Sequence, residues 1–317
     1  RAAVPARTVG GRGLLRRPGV EAHKGHGRAV PSVGGIGIAA AIILPIVLAL
    51  LLIRLPDAWW VAVYEPIVIH LDGLRRMTAP AGVLLGALLM IHLAGLIDDR
   101  FGMNPWVKLE VQLVFAAMVG VLADVRALQF LDGYGAAGVA LGAAVTIFWI
   151  VVIINAFNML DNMDGLSGGV AAIIAAIYLA ALLIGGQWFV AALAALLLGA
   201  LLGFLVLTYP PARLFMGDGG SMVVGGLLAV ISIRTTYFEP QDPLQPGAWY
   251  GVLMPLVVMA VPLYECVSVT VIRTLQGGNP MKADHQHLSH RLTQRGLTRR
   301  AAVGVIWRAP SRPRSRA

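Results

Sequence analysis

The chain has 317 residues, 58% of them hydrophobic and 13% charged, with a mean hydropathy of +0.77. A soluble domain of this length cannot bury so large an apolar share, so the surplus is expected to face lipid. The net charge of +9 does not point to a nucleic-acid partner, because the basic residues stand at the edges of apolar runs and form no patch interleaved with aromatics.

Residues 1–33 are rich in Arg and Gly and hold no apolar stretch long enough for a leader peptide, so they read as a cytoplasmic arm. The arm ends in HKGHGRAVPSVGG, residues 23–35, where Lys24, His26 and Arg28 precede a proline and two glycines. Cations placed there suit an anionic lipid headgroup, and plain anchoring at the membrane edge explains them nearly as well. A bilayer core about 30 Å thick needs about 20 apolar residues per helix. Eight windows qualify, at 34–53, 80–97, 107–124, 136–154, 169–184, 188–207, 222–238 and 250–272. The third opens with Lys108, Glu110 and Gln112, and the seventh is short and carries Arg234. Cys266, the sole cysteine, lies in the eighth and reads as a small buried apolar residue with no disulfide partner. The closing WRAPSRPRSRA resembles a basic low-complexity tail and no helix.

The expected fold is therefore all-α: a polytopic transmembrane helical bundle of about eight helices with cytoplasmic catalytic loops. It divides into a basic arm (1–33), the bundle (34–272) and a histidine loop with a basic tail (273–317). With the N-terminus inside, 20 Lys and Arg fall in inside segments against 4 in outside loops, so the orientation is decided by the positive-inside rule. Every polar cluster then falls on the cytoplasmic side, and clusters sharing one face suggest one site.

Four clusters carry the chemistry. Asp98 and Asp99 are adjacent at the end of the second window, and neighbouring carboxylates are costly near lipid unless a cation lies between them. They are either a solvated pair neutralised by Arg100 or part of a Mg²⁺ and phosphate site. NAFNMLDNMDGLSGG, residues 155–169, spaces Asn155, Asn158, Asp161 and Asp164 three apart, which on a helix lets successive members face a common ligand. TYPPARLFMGDGGSMVVGG, residues 208–226, sets Asp218 among glycines before a helix that Ser221 can cap, a geometry of free N–H groups that suits phosphate. MKADHQHLSHRL supplies Lys282, His285, His287, His290 and Arg291, which could hold zinc but, with no cysteine nearby, fit a phosphate better.

Taken in order, these motifs resemble the polyprenyl-phosphate N-acetylhexosamine-1-phosphate transferases, over about residues 23–298, and the acetylglucosamine type more than the muramoyl-pentapeptide type. The resemblance implies transfer of a sugar 1-phosphate from a UDP-N-acetylhexosamine to polyprenyl (undecaprenyl) phosphate in the inner membrane, releasing UMP. The cofactor implied is Mg²⁺, with Mn²⁺ able to stand in, and the resemblance leaves room for a homodimer. It places Asp218 and Asp99 as metal ligands and Asp98, Asp99, Asp161, Asp164, His287 and His290 in catalysis. Lys24, His26, Asn155, Asn158, Phe215, Lys282 and Arg291 are expected to bind substrate, Phe215 as the aromatic associated with the uracil. The sequence departs from the family pattern at Asn162, where Gly is common, at Thr208, where Asn is frequent, and at Ser289, in place of a histidine. The alternatives are a secondary transporter using carboxylates at the cytoplasmic edge, or an inactive structural homologue.

Overall fold

A computed structural model describes residues 31–235, 248–277, 288–294 and 296–308. In chain order the helices are α1 (Gly34–Leu52), α2 (Asp57–Tyr64), α3 (Leu71–Arg76), α4 (Thr78–Phe101), α5 (Pro105–Ala117), α6 (Ala136–Leu160), α7 (Leu166–Ile184), α8 (Trp188–Thr208), α9 (Gly217–Thr235), α10 (Ala248–Val258), α11 (Ala260–Leu275), α12 (Leu288–Gln294) and α13 (Arg299–Arg308). A π-helical turn (Met118–Leu122) prolongs α5. Among the described residues, six helices are long and apolar enough to cross a membrane: α1, α4, α5 with its π turn, α6, α7 and α8. Their outer faces expose Leu44, Leu48, Phe148 and Val206, side chains that no soluble protein would leave in water in such number. The molecule is a multi-pass helical membrane protein.

The seventh predicted window became the centre of the bundle. Every residue of α9 from Gly217 to Ile233 is buried except Asp218, with α1, α4, α6, α7 and α8 packed around it. Its glycines permit this, since lipid gives no hydrophobic reward for helix association and small residues let backbones close up. A Cβ on Gly95 of α4 would lie 2.5 Å from the Gly219 Cα, and one on Gly35 of α1 would lie 2.5 Å from the Gly220 nitrogen. Gly226 makes room for the ring of Phe115. His92 Nδ1 lies 2.9 Å from the Gly219 carbonyl and joins α4 to α9 by a buried hydrogen bond.

Four features differ from the sequence expectations. α9 begins at Gly217, so Asp218 stands in the first turn of a helix and not in a loop. The eighth window is broken at Met259 into α10 and α11, because Pro262 has no N–H to offer the carbonyl of Val258. The segment read as an outside loop after α1 folds into α2, a 3₁₀ turn (Glu65–His70) and α3. Trp307 and Arg308, assigned to the tail, belong to α13, whose Ala302, Val303 and Ile306 are buried.

Candidate active site

The helix ends that meet at one rim are the C-terminal ends of α4, α6 and α8 and the N-terminal ends of α1, α5 and α9. Pro31 and the start of α1 are tied to the loop before α9 by backbone bonds: Phe215 N donates to Pro31 O, Gly34 N to Phe215 O and Gly35 N to Met216 O, at 2.9 to 3.0 Å. At the far end of the bundle Arg126 pairs with Asp124 and Asp132, and Arg75 with Asp57.

Lys108, on the first turn of α5, is the hub of the rim. Its Nζ lies 2.8 Å from Asp98 Oδ2, 3.1 Å from Asp218 Oδ2 and 3.3 Å from Asn158 Oδ1. Asn158 Nδ2 in turn donates to Asp218 Oδ1 at 2.6 Å and to Ser221 Oγ at 3.0 Å. Four helices thus bring two carboxylates, one carboxamide and one ammonium to a single point, where a cation between two anions offsets a repulsion that lipid would otherwise enlarge. Sequence reasoning missed Lys108, which at the start of a span looks like an edge anchor. The signal available was Lys108 and Gln112, four apart and so on one face of the helix, with the exposed Glu110 off that face.

Asp99 has a different setting from Asp98. Its two oxygens accept from Asp218 N at 3.0 Å and Gly219 N at 3.1 Å, capping the first turn of α9. The N–H groups expected to be free for phosphate are therefore satisfied by Asp99, and Ser221, expected as the cap, accepts from Asn158 instead. Gly217 has a φ of +69°, and a Cβ there would lie 2.5 Å from Asp99 Oδ2, so only glycine admits the carboxylate. Asp98 Oδ1 accepts from Met103 N at 2.7 Å, which aims Oδ2 at Lys108.

The three-residue spacing of 155–164 does not produce one shared face. α6 ends at Leu160, leaving Asp161 as its C-cap and Asp164 in the turn that Gly165, at φ +69°, completes. Asn158 faces Asp218. Asn155, one turn deeper, exchanges amide hydrogen bonds with Gln112. Asp164 is buried, and its Oδ2 accepts from Ala212 N at 3.1 Å, holding the loop before α9. Phe215 is buried beside Ala212 in that loop. Lys24, His26, Lys282, His285 and His287 lie outside the described residues, while His290 and Arg291 fall within α12. Arg291 has two guanidinium nitrogens, Nε and Nη2, that are buried and have no hydrogen-bond partner among the described residues. Among those residues no three His, Cys, Asp or Glu side chains gather to enclose a metal unaided.

The model of one family, glycosyl transferase family 4, matches residues 81–236, a span that contains Asp98, Lys108, Asn158 and Asp218. A Bacillus subtilis protein named probable undecaprenyl-phosphate N-acetylglucosaminyl 1-phosphate transferase is 30% identical over 240 residues, covering 74% of this chain and 64% of that protein. The decaprenyl-phosphate N-acetylglucosaminephosphotransferase of Mycolicibacterium smegmatis is 32% identical over 244 residues, covering 72% and 60%. The undecaprenyl-phosphate alpha-N-acetylglucosaminyl 1-phosphate transferase of Escherichia coli K12 is 28% identical over 305 residues, covering 93% and 73%. The chain thus spans less than two thirds of the Bacillus and mycobacterial relatives. The motif order, the matched span and these relatives agree, and over residues 81–236 the chain is similar to glycosyl transferase family 4.

Proposed function

We propose that this protein transfers a sugar 1-phosphate, that of an N-acetylhexosamine, from a UDP-sugar to polyprenyl phosphate at the cytoplasmic face of the inner membrane, releasing UMP. The observation that carries the reading is the convergence of Asp98, Asp218 and Asn158 on Lys108 within 3.3 Å. Phosphoryl transfer between two polyanions needs neutralisation and in-line placement more than an unusual side chain, and this cluster offers both. The names of the relatives point the same way and do not favour a transporter.

The donor set suits Mg²⁺, which takes one or two carboxylates and completes its shell with water and phosphate oxygens. Asp98 and Asp218 would hold it, since Asp99 spends both oxygens on backbone N–H groups. Bound there, the ion would neutralise the donor diphosphate. Lys108, already facing both carboxylates, would move its ammonium onto a phosphate oxygen, and Asn158 would keep Asp218 in orientation. Arg291, with two guanidinium nitrogens buried and unpartnered among the described residues, would meet the second phosphate alongside His287 and His290. A lipid phosphate oxygen would then form a bond to the β-phosphorus as the bond from that phosphorus to the bridging oxygen breaks. UMP departs with the bridging oxygen and its electron pair.

The test is to offer detergent-purified protein a panel of UDP-sugars with undecaprenyl phosphate and Mg²⁺ and to measure UMP and lipid product. One or more UDP-N-acetylhexosamines should yield both in equal amounts, and EDTA should stop the reaction. Failure of the whole panel, with a solute moved by vesicles instead, would overturn the reading.

A further inference from the structure

Two of the positions that depart from the family pattern, Asn162 and Ser289, are 127 residues apart and touch. Ser289 Oγ donates to Asn162 Oδ1. Asn162 Nδ2 donates to Met159 O at 2.8 Å and to Glu265 Oε1 at 3.4 Å. Both Glu265 oxygens accept from Leu288 N, at 3.1 and 3.3 Å. The three side chains are shut away from water, with exposures of 5% for Asn162, 0% for Ser289 and 1% for Glu265. A buried carboxylate, carboxamide and hydroxyl are costly unless each finds a partner, and here each is satisfied through the others.

Their location gives the network its consequence. Asn162 lies between Asp161 and Asp164, in the turn that follows Asn158. Leu288 and Ser289 open α12, directly after His287 and directly before His290 and Arg291. Glu265 stands on α11 and bridges the two. Removing the Asn162 carboxamide would strand the Ser289 hydroxyl, and removing the hydroxyl would leave the carboxamide oxygen unpaired.

We propose that Asn162, Glu265 and Ser289 are positioning residues. They form a latch that sets α12, which carries Arg291, against the Asn158–Asp164 turn and so fixes its reach to the donor diphosphate. This rests on the transferase reading above. Because the latch serves one substrate, its loss should weaken the donor and spare the acceptor. Because its members depend on one another, their effects should not add.

The experiment compares the wild type, Ser289→Ala, Asn162→Ala and the double variant in two ways. Steady-state kinetics are run against both substrates, and hydrogen–deuterium exchange is followed over α12. Each single variant should raise the KM for the UDP-sugar about tenfold, the scale of one buried hydrogen bond lost. The kcat and the KM for polyprenyl phosphate should stay near wild type, α12 amides should exchange faster, and the double variant should match the worse single one. Additive losses, equal changes in both KM values, or faster exchange with an unchanged donor KM would each overturn the latch as a positioning device. An inactive wild type would defeat the transferase reading and the positioning role with it, while exchange in the single and double variants would still decide whether the side chains act as a unit.

Discussion

Lys108 and the two carboxylates it bridges set the electrostatics of the rim. Replacing it by Lys108→Met leaves Asp98 and Asp218 facing each other without a counter-ion, where each anion raises the cost of the other. The variant should therefore unfold at a lower temperature than wild type in EDTA and gain more on adding Mg²⁺. Turnover should fall by about 100-fold or more, as expected when a preorganised charge is lost at a phosphoryl-transfer centre. Thermal unfolding with and without Mg²⁺ checks the first part and UMP release the second. An equal Mg²⁺ response in the two proteins would contradict the idea that lysine and metal share the carboxylates. At this scale Asp98, Asn158 and Asp218 were legible in the sequence, because carboxylates and amides at the ends of apolar runs must have a reason to be there. The backbone contacts of Asp99 and Asp164 were not, since their partners lie 119 and 120 residues away for Asp99 and 48 for Asp164. Nothing in a local pattern indicates such a pairing.

α9 is the element that locates the site, and its glycines are what let α1 and α4 approach it. Gly95→Ala would put a methyl group 2.5 Å from a backbone atom of α9, a contact that only movement of a helix can relieve. It should lower stability by about 1 to 3 kcal/mol, the usual range for overpacking. Gly82→Ala on the same helix meets nothing within 4 Å and should be neutral or slightly stabilising. Denaturation of the purified variants distinguishes the two, and equal stability would show that the α4–α9 contact is looser than described. Six of the spans were readable from length and hydropathy alone, because lipid imposes both. The early start of α9 was not readable, since GDGG has turn chemistry in isolation and becomes helical only when Asp99 supplies the cap. α13 was hidden for a related reason: its helix is fixed by contacts with distant partners. Trp307 lies against Gly169, where a Cβ would collide with the indole, and Arg300 Nε donates to Pro210 O at 3.2 Å.

At the scale of the whole molecule, the proposed chemistry needs one polar rim and one membrane orientation. We propose that this rim faces the cytoplasm, on the ground that Lys and Arg are in excess in the sequence segments at that end. On a Cys266→Ser background, a membrane-impermeant thiol reagent should label Asp57→Cys in intact cells and Arg213→Cys only after lysis. Both positions are exposed, and they lie at opposite ends of the bundle. Labelling of both from the same side would break the topology. The helices that deliver Asp98, Lys108, Asn158 and Asp218 to one place all lie within the span that matches the family model, residues 81–236.

The most direct measurement is the rate of Mg²⁺-dependent UMP release by Asp218→Asn beside the wild type. The substitution keeps the side chain's size and removes the charge that faces Lys108. Product should fall to background while the protein remains folded. Turnover near that of the wild type would mean that this carboxylate does not serve the reaction, and the site drawn around it would have to be abandoned.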